Sequence, residues 1–119
     1  DGVQRFYTVT NFQNHFVRAW HGHLKEDKYV TVIKGAAIIA AFKFPIPEDY
    51  NTWPVERTVL SAEKPSVVFI SRGHANGFMN LLPDTQLMFF STSTVEESKG
   101  DDYRFDASLF RYIWNVEER

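Results

Sequence analysis

The chain has no cysteine, which excludes disulfides, thiolate zinc sites and cysteine nucleophiles together. A reducing, cytoplasmic setting is expected. It also lacks an excess of basic residues: 13 Lys and Arg against 15 Asp and Glu give a formal net charge of −2. A phosphate backbone selects the opposite balance, so no nucleic-acid partner is expected, although a few cations suffice for one small phosphorylated ligand. No apolar run approaches the ~20 residues of a membrane helix and no signal-like segment opens the chain, so no membrane partner is expected. Repeats, linkers and low-complexity tracts are missing too. The chain opens on Asp1 rather than Met, as a trimmed form or a piece of a longer protein would.

What is present is an apolar, aromatic-rich chain of 119 residues, 44% hydrophobic and with eleven Phe. That length accommodates one domain over 1–119 with a real core and not two. The dominant period is two. "RFYTVTNF" (5–12), "HFVRAWHGH" (15–23), "KYVTVIKG" (28–35), "AAIIAAFKF" (36–44), "ERTVLSA" (56–62), "PSVVFIS" (65–71), "GFMNLL" (77–82) and "QLMFFSTST" (86–94) read as strands. Turn chemistry at 24–27, 45–54, 63–65, 72–76 and 82–85 separates them. Eight short strands so divided predict an all-β antiparallel sandwich or barrel. The stretch 106–114, with Asp106 as an N-cap candidate, is the one helical candidate. Residues 95–102, "VEESKGDD", read as a solvated loop, and at least two of Trp20, Trp53 and Trp114 as core or subunit-interface packing residues.

His21 and His23 are two apart on a predicted strand and share a face with Val17 and Ala19. The small apolar neighbours favour the inside, where two imidazoles are costly unless they serve chemistry or a metal. The spacing from His21 through His23 and Lys28 to Gly35 resembles the first motif of the cupin family, and "SRGHANGFMN" (71–80) resembles the second. The family's metal ligands then fall on His21, His23, Lys28 and Asn76. An ammonium and an amide stand where a carboxylate and an imidazole should be, so no metal and no other cofactor is expected.

"RAWH" (18–21), "KYVTVIKG" (28–35), "ISRGHANGFMNL" (70–81) and "DDYRFDASLFRYIW" (101–114) together resemble the metal-free dTDP-4-dehydrorhamnose 3,5-epimerase family. That resemblance implies a cupin jelly-roll barrel with a short C-terminal helical or irregular segment, a nucleotide-diphosphate sugar as ligand and a homodimer. It also implies roles. His21 matches the base that removes a proton beside the 4-keto group, Asp106 its orienting carboxylate and Lys28 the cation on the enolate oxygen. Arg18 matches a contact to the diphosphate; Arg72, His74 and Asn76, in the second motif, are further candidates for binding substrate. On a regular strand Arg18 would face away from His21, so its role needs a bulge, a twist or a neighbouring subunit.

The family's acid, a tyrosine, aligns with Phe90, which has no proton to give. Tyr29, Tyr103 and His23 are the alternative donors. "RAWHGH" is similar as well to the sugar 3,4-ketoisomerases, which use both histidines of such a pair. Three classes therefore follow: an epimerase or ketoisomerase of a nucleotide-linked sugar, a non-catalytic sugar-binding cupin, and a metal-dependent cupin.

Overall fold

The computed structural model describes residues 2–116. In chain order the strands are β1 (Arg5–Asn11), β2 (Val17–His23), β3 (Lys28–Lys34), β4 (Ala36–Lys43), β5 (Glu56–Ser61), β6 (Val68–Ile70), β7 (His74–Asn80), β8 (Thr85–Ser91) and β9 (Tyr103–Arg104). A short helix, α1 (Val95–Lys99), precedes β9, and a 3-10 turn spans Arg111–Trp114. The strands form two antiparallel sheets, β1-β8-β3-β6 and β5-β4-β7-β2-β9, which face each other as the two layers of the expected jelly roll. No helix among the described residues is long and apolar enough to cross a membrane.

All eight expected strands form, and the alternation that announced them is an alternation of burial. In β8 the odd residues from Thr85 to Ser91 are buried and those between are half-exposed, because one face meets the opposite sheet and the other meets water. Val30, Val32, Leu87 and Phe89 from the first sheet pack there against Ile39, Phe78 and Leu60 from the second. The exception is β4, whose apolar run has no polar alternates. Ala37, Ile39 and Ala41 face the first sheet, while Ile38, Ala40 and Phe42 face away from it into a second cluster. That outer cluster is roofed by the C-terminal segment. Trp114 packs 5.3 Å from Trp20, whose indole N–H donates to the Leu109 carbonyl at 2.9 Å.

Three expectations change. The stretch 72–76 is a turn only at its start, since β7 begins at His74. Gly73, at φ +83° with open space around it, serves that turn, whereas Gly77 just beyond it sits between β4 and β2, where a side chain would meet Ala19 Cβ at 2.7 Å and the Arg18 carbonyl at 3.0 Å. The segment 106–114 forms a turn and the 3-10 helix instead of an α-helix. The "solvated loop" 95–102 contains α1, closed at its N-terminus by a reciprocal capping box between Thr94 and Glu97.

One irregularity places the site. Along the β2–β7 pair Arg18 lies opposite Phe78, but His21 lies opposite Asn76. Three steps on β2 therefore match two on β7, the mark of one inserted residue. Phe78 and Asn76 share a face, and the bulge brings Arg18 and His21 to that same face. Gly77 sits against this bulge. Gly77→Ala is therefore expected to cost about 1–3 kcal/mol through overpacking against backbone and Trp20, read as a lowered midpoint in urea denaturation.

Candidate functional site

Two adjoining cavities open between the sheets. The larger, about 470 Å³, is lined by Tyr7, Lys28 and Phe89 from the first sheet and by Arg18, His21 and Asn76 from the second. The smaller, about 260 Å³, shares Tyr7, His21, Lys28 and Arg104 with it and adds His23 and Lys99. The larger lies within the roughly 300–1,000 Å³ usual for small-ligand sites. Among the described residues five cations, Arg5, Arg18, Lys28, Lys99 and Arg104, border the pair of cavities, with Asp102 as the one carboxylate lining them. The field favours an anionic ligand.

Lys28 opens β3 in the register row Arg5–Ser91–Lys28 of the first sheet. By itself its place after an acidic turn suggests a solvated lysine, but only 6% of it is exposed. Burial pushes its pKa down, opposed by the nearby Glu26 carboxylate. Glu26 is the residue that the sequence concealed. It lies in the β2–β3 turn, yet its side chain is fully buried, 3.8 Å from Lys28 Nζ, 3.7 Å from Arg5 and 3.9 Å from His23 Nδ1. The Ser98 hydroxyl of α1 donates to it at 2.6 Å. A carboxylate this far from water needs such a shell.

His21 stands at the rim, open to solvent on one side. Partial loss of hydration lowers its pKa first; Arg104 lowers it further, while Asp102 acts to raise it. The imidazole is thereby neutral at pH 7 and free to accept a proton. Arg18 is held at the other end by Asn11, whose Oδ1 accepts from Arg18 Nε at 2.6 Å, and its guanidinium lies 5.4 Å from the Phe16 ring.

The remaining candidates divide. Asn76 is buried beside His21 at the cavity wall. His23 reaches only the smaller cavity, its Nδ1 bound at 2.5 Å to the Asp101 carbonyl. His74 lies elsewhere, beside Ser71 and in a separate cleft with Lys43, Trp53 and Glu56. Arg72 grips Asp27 with two N–H groups, at 3.1 and 3.0 Å, in a turn that lines neither cavity. Asp106 is not brought to His21: its carboxylate is exposed and accepts the Ser108 backbone N–H at 2.8 Å. The carboxylate that acts on His21 is Asp102, hydrogen-bonded to Arg104 Nε at 3.1 Å.

On β8 the cavity-facing aromatic is not Phe90 but its neighbour. Phe90 is turned outward onto Phe6 at 6.4 Å, and Phe89 faces the cavity. The segment 95–102, read from the sequence as a solvated loop, borders the mouth: Ser98, Lys99 and Asp102 line the smaller cavity, and buried Asp101 accepts the Leu24 and Lys25 N–H groups. The Thr94-x-x-Glu97 spacing was a legible signal for this helix. Among the described residues no three His, Asp or Glu side chains converge as a metal site.

Comparison with known proteins places the chain. Residues 2–118 match the family model described as dTDP-4-dehydrorhamnose 3,5-epimerase. No curated protein matches in sequence. Among solved structures, the rmlC epimerase of Mycobacterium tuberculosis superposes with a TM-score of 0.75 at 18% identity, over 97% of this chain and 56% of that one. A dTDP-4-dehydrorhamnose 3,5-epimerase of Bacillus anthracis, with TDP and PPi bound, gives 0.77 at 18%, over 92% and 63%. ChmJ, a 3'-monoepimerase of Streptomyces bikiniensis in complex with dTDP-quinovose, gives 0.76 at 17%, over 93% and 55%. At these identities the likeness is one of fold, and the chain spans less than two thirds of each of the three proteins.

The buried shell around Glu26 is open to test. Glu26→Gln leaves Lys28 and Arg5 without their carboxylate and is expected to cost about 3–5 kcal/mol in urea unfolding. Combined with Lys28→Met the loss should be smaller than the two single losses added.

Proposed function

From the premise that this chain belongs to the dTDP-4-dehydrorhamnose 3,5-epimerase family, we propose that it epimerises a nucleotide-linked 4-keto-6-deoxy sugar without a metal. The observation that carries most weight is the facing of a neutral imidazole on one sheet and a buried ammonium on the other across one cavity. A carbon next to a ketone has an acidified C–H. His21 takes that proton, the electron pair moves onto the ketone oxygen, and Lys28 meets the charge developing there. Glu26 holds Lys28 in place from behind, as a positioning residue. Arg18, fixed by Asn11 and Phe16, suits the diphosphate, as does the cationic rim. The nucleotide ligands carried by the Bacillus anthracis and Streptomyces bikiniensis proteins support the same ligand class.

A second reading, 3,4-ketoisomerisation by the His21 and His23 pair, has one observation in its favour: both rings border the smaller cavity. Its weakness is the Asp101 carbonyl on His23 Nδ1, which fits a support for the turn better than a mobile proton carrier. The homodimer has support of a different kind. Phe6, Phe90, Tyr29 and Phe69 form one register row across the outer face of the first sheet, with Phe6 67% and Phe69 51% exposed. Apolar surface of this sort marks a contact face.

The decisive experiment is NMR of dTDP-4-keto-6-deoxyglucose incubated with the protein in deuterated water. Deuterium entering beside the ketone supports an isomerase, and its absence with the ligand still bound leaves a non-catalytic binding protein. His21→Ala should abolish exchange without lowering the melting temperature; exchange at the wild-type rate would refute its role. Lys28→Met should lower kcat about 10²–10³-fold. Because His21 must be neutral and its pKa is lowered, kcat/KM should rise with pH through a midpoint below 6.5 and be flat at neutrality. It should fall again as Lys28 deprotonates, below 10.5.

A further inference from the structure

Inversion at carbon needs a second group, on the face opposite the base, to return the proton. The residues named above as alternative donors are badly placed for it. Tyr29 is turned to the outer face against Phe69, Tyr103 packs on Phe44 beyond β2, and His23 is tied to Asp101. On the sheet facing His21, the cavity-facing residue of β8 is Phe89, which has no proton to give. Its register partner on β1 is Tyr7, and the two rings stack at 5.2 Å and 6°. Tyr7 is half-buried and, like His21, borders both cavities. Its hydroxyl makes no hydrogen bond among the described residues, so its proton is not committed elsewhere.

We propose that Tyr7 is the acid of this site, delivering a proton from the first sheet to the substrate face opposite His21, so that the phenol reaches the cavity from β1 and not from β8. The inference rests on the epimerase reading above and deepens it, because a one-face proton shuttle has no use for a group there. The balance is complete. The C–H pair becomes the enolate as His21 accepts the proton; the enolate carbon then takes the Tyr7 proton on its other face and the ketone re-forms. Solvent reprotonates the phenolate and removes the proton from His21, and nothing is oxidised or reduced. The surroundings fit. Burial raises the phenol pKa to about 12, with Arg5 pulling it down and Glu26 pushing it up, so it enters each cycle protonated. The Arg5 guanidinium, 4.9 Å from the ring centroid, lies ready to steady the phenolate.

Tyr7→Phe separates the two halves of the reaction. In deuterated water the variant should still exchange the proton beside the ketone, with retained configuration, while formation of the inverted sugar falls at least 100-fold and the melting temperature is unchanged. Inversion at the wild-type rate would overturn the assignment, and so would equal loss of exchange and inversion in a folded variant, since the phenol would then serve binding or the base step. The double variant Tyr7→Phe/Phe89→Tyr, which moves the hydroxyl one strand across, should recover part of the inversion; a folded double variant no better than Tyr7→Phe would count against a requirement for a phenol on this wall. A wild-type protein that exchanges nothing would refute the epimerase reading itself, and the role of Tyr7 with it.

Discussion

The mouth of this protein depends on one carboxylate withdrawn from water. Glu26 stands within 4 Å of Arg5, His23 and Lys28 and accepts from Ser98, so it ties β1, β2, β3 and α1 to a single point. Desolvating a charge is expensive, and the return comes only when every neighbour is in position. That requirement makes the cluster cooperative: the Glu26 carboxylate favours the charged form of buried Lys28, and Glu26 is itself buried among Arg5, Lys28, the His23 ring and the Ser98 hydroxyl. Asp101 does the same for the backbone, capping Leu24 and Lys25 and holding His23.

The site's chemistry follows from unequal environments. His21 is pushed towards its neutral form by lost hydration and by Arg104, Tyr7 is kept protonated by burial, and the Lys28 cation has a fixed counter-ion. Three titratable groups with ordinary values near 6.5, 10.0 and 10.5 are thus suited to the three tasks of the proposed reaction, a division set by placement and not by residue type. Placement in turn comes from the scaffold: the bulge in β2 brings Arg18 round to the face of His21, and strand pairing puts Tyr7 beside Phe89.

In the proposed mechanism that pairing lets a residue missing from one strand be replaced from the next. A phenol on β8 and a phenol on β1 are far apart in the sequence but adjacent across one ladder, where side chains on one face lie about 5 Å apart. A motif compared position by position records the Phe on β8 and sees a loss. The cavity sees only that an O–H is available on that wall.

What the sequence determined by itself is the part governed by local pattern. Period-two alternation specified eight strands and an all-β class, and the spacing of His21, Lys28 and Gly35 marked the strand pair that carries the site. The capping-box spacing at Thr94 was equally local. The rest was decided by tertiary structure, because it depends on residues distant in the chain. Glu26 reads as a turn acid until Arg5 and Ser98 arrive from 21 and 72 positions away. Asp106, correct in type, is consumed by its own turn, and Asp102 takes the place beside His21 through the pairing of β9 with β2. Tyr7 is one more alternating aromatic until two sheets close over it. Burial and opposition across a cavity are properties of the folded pair of sheets, and no single strand encodes them.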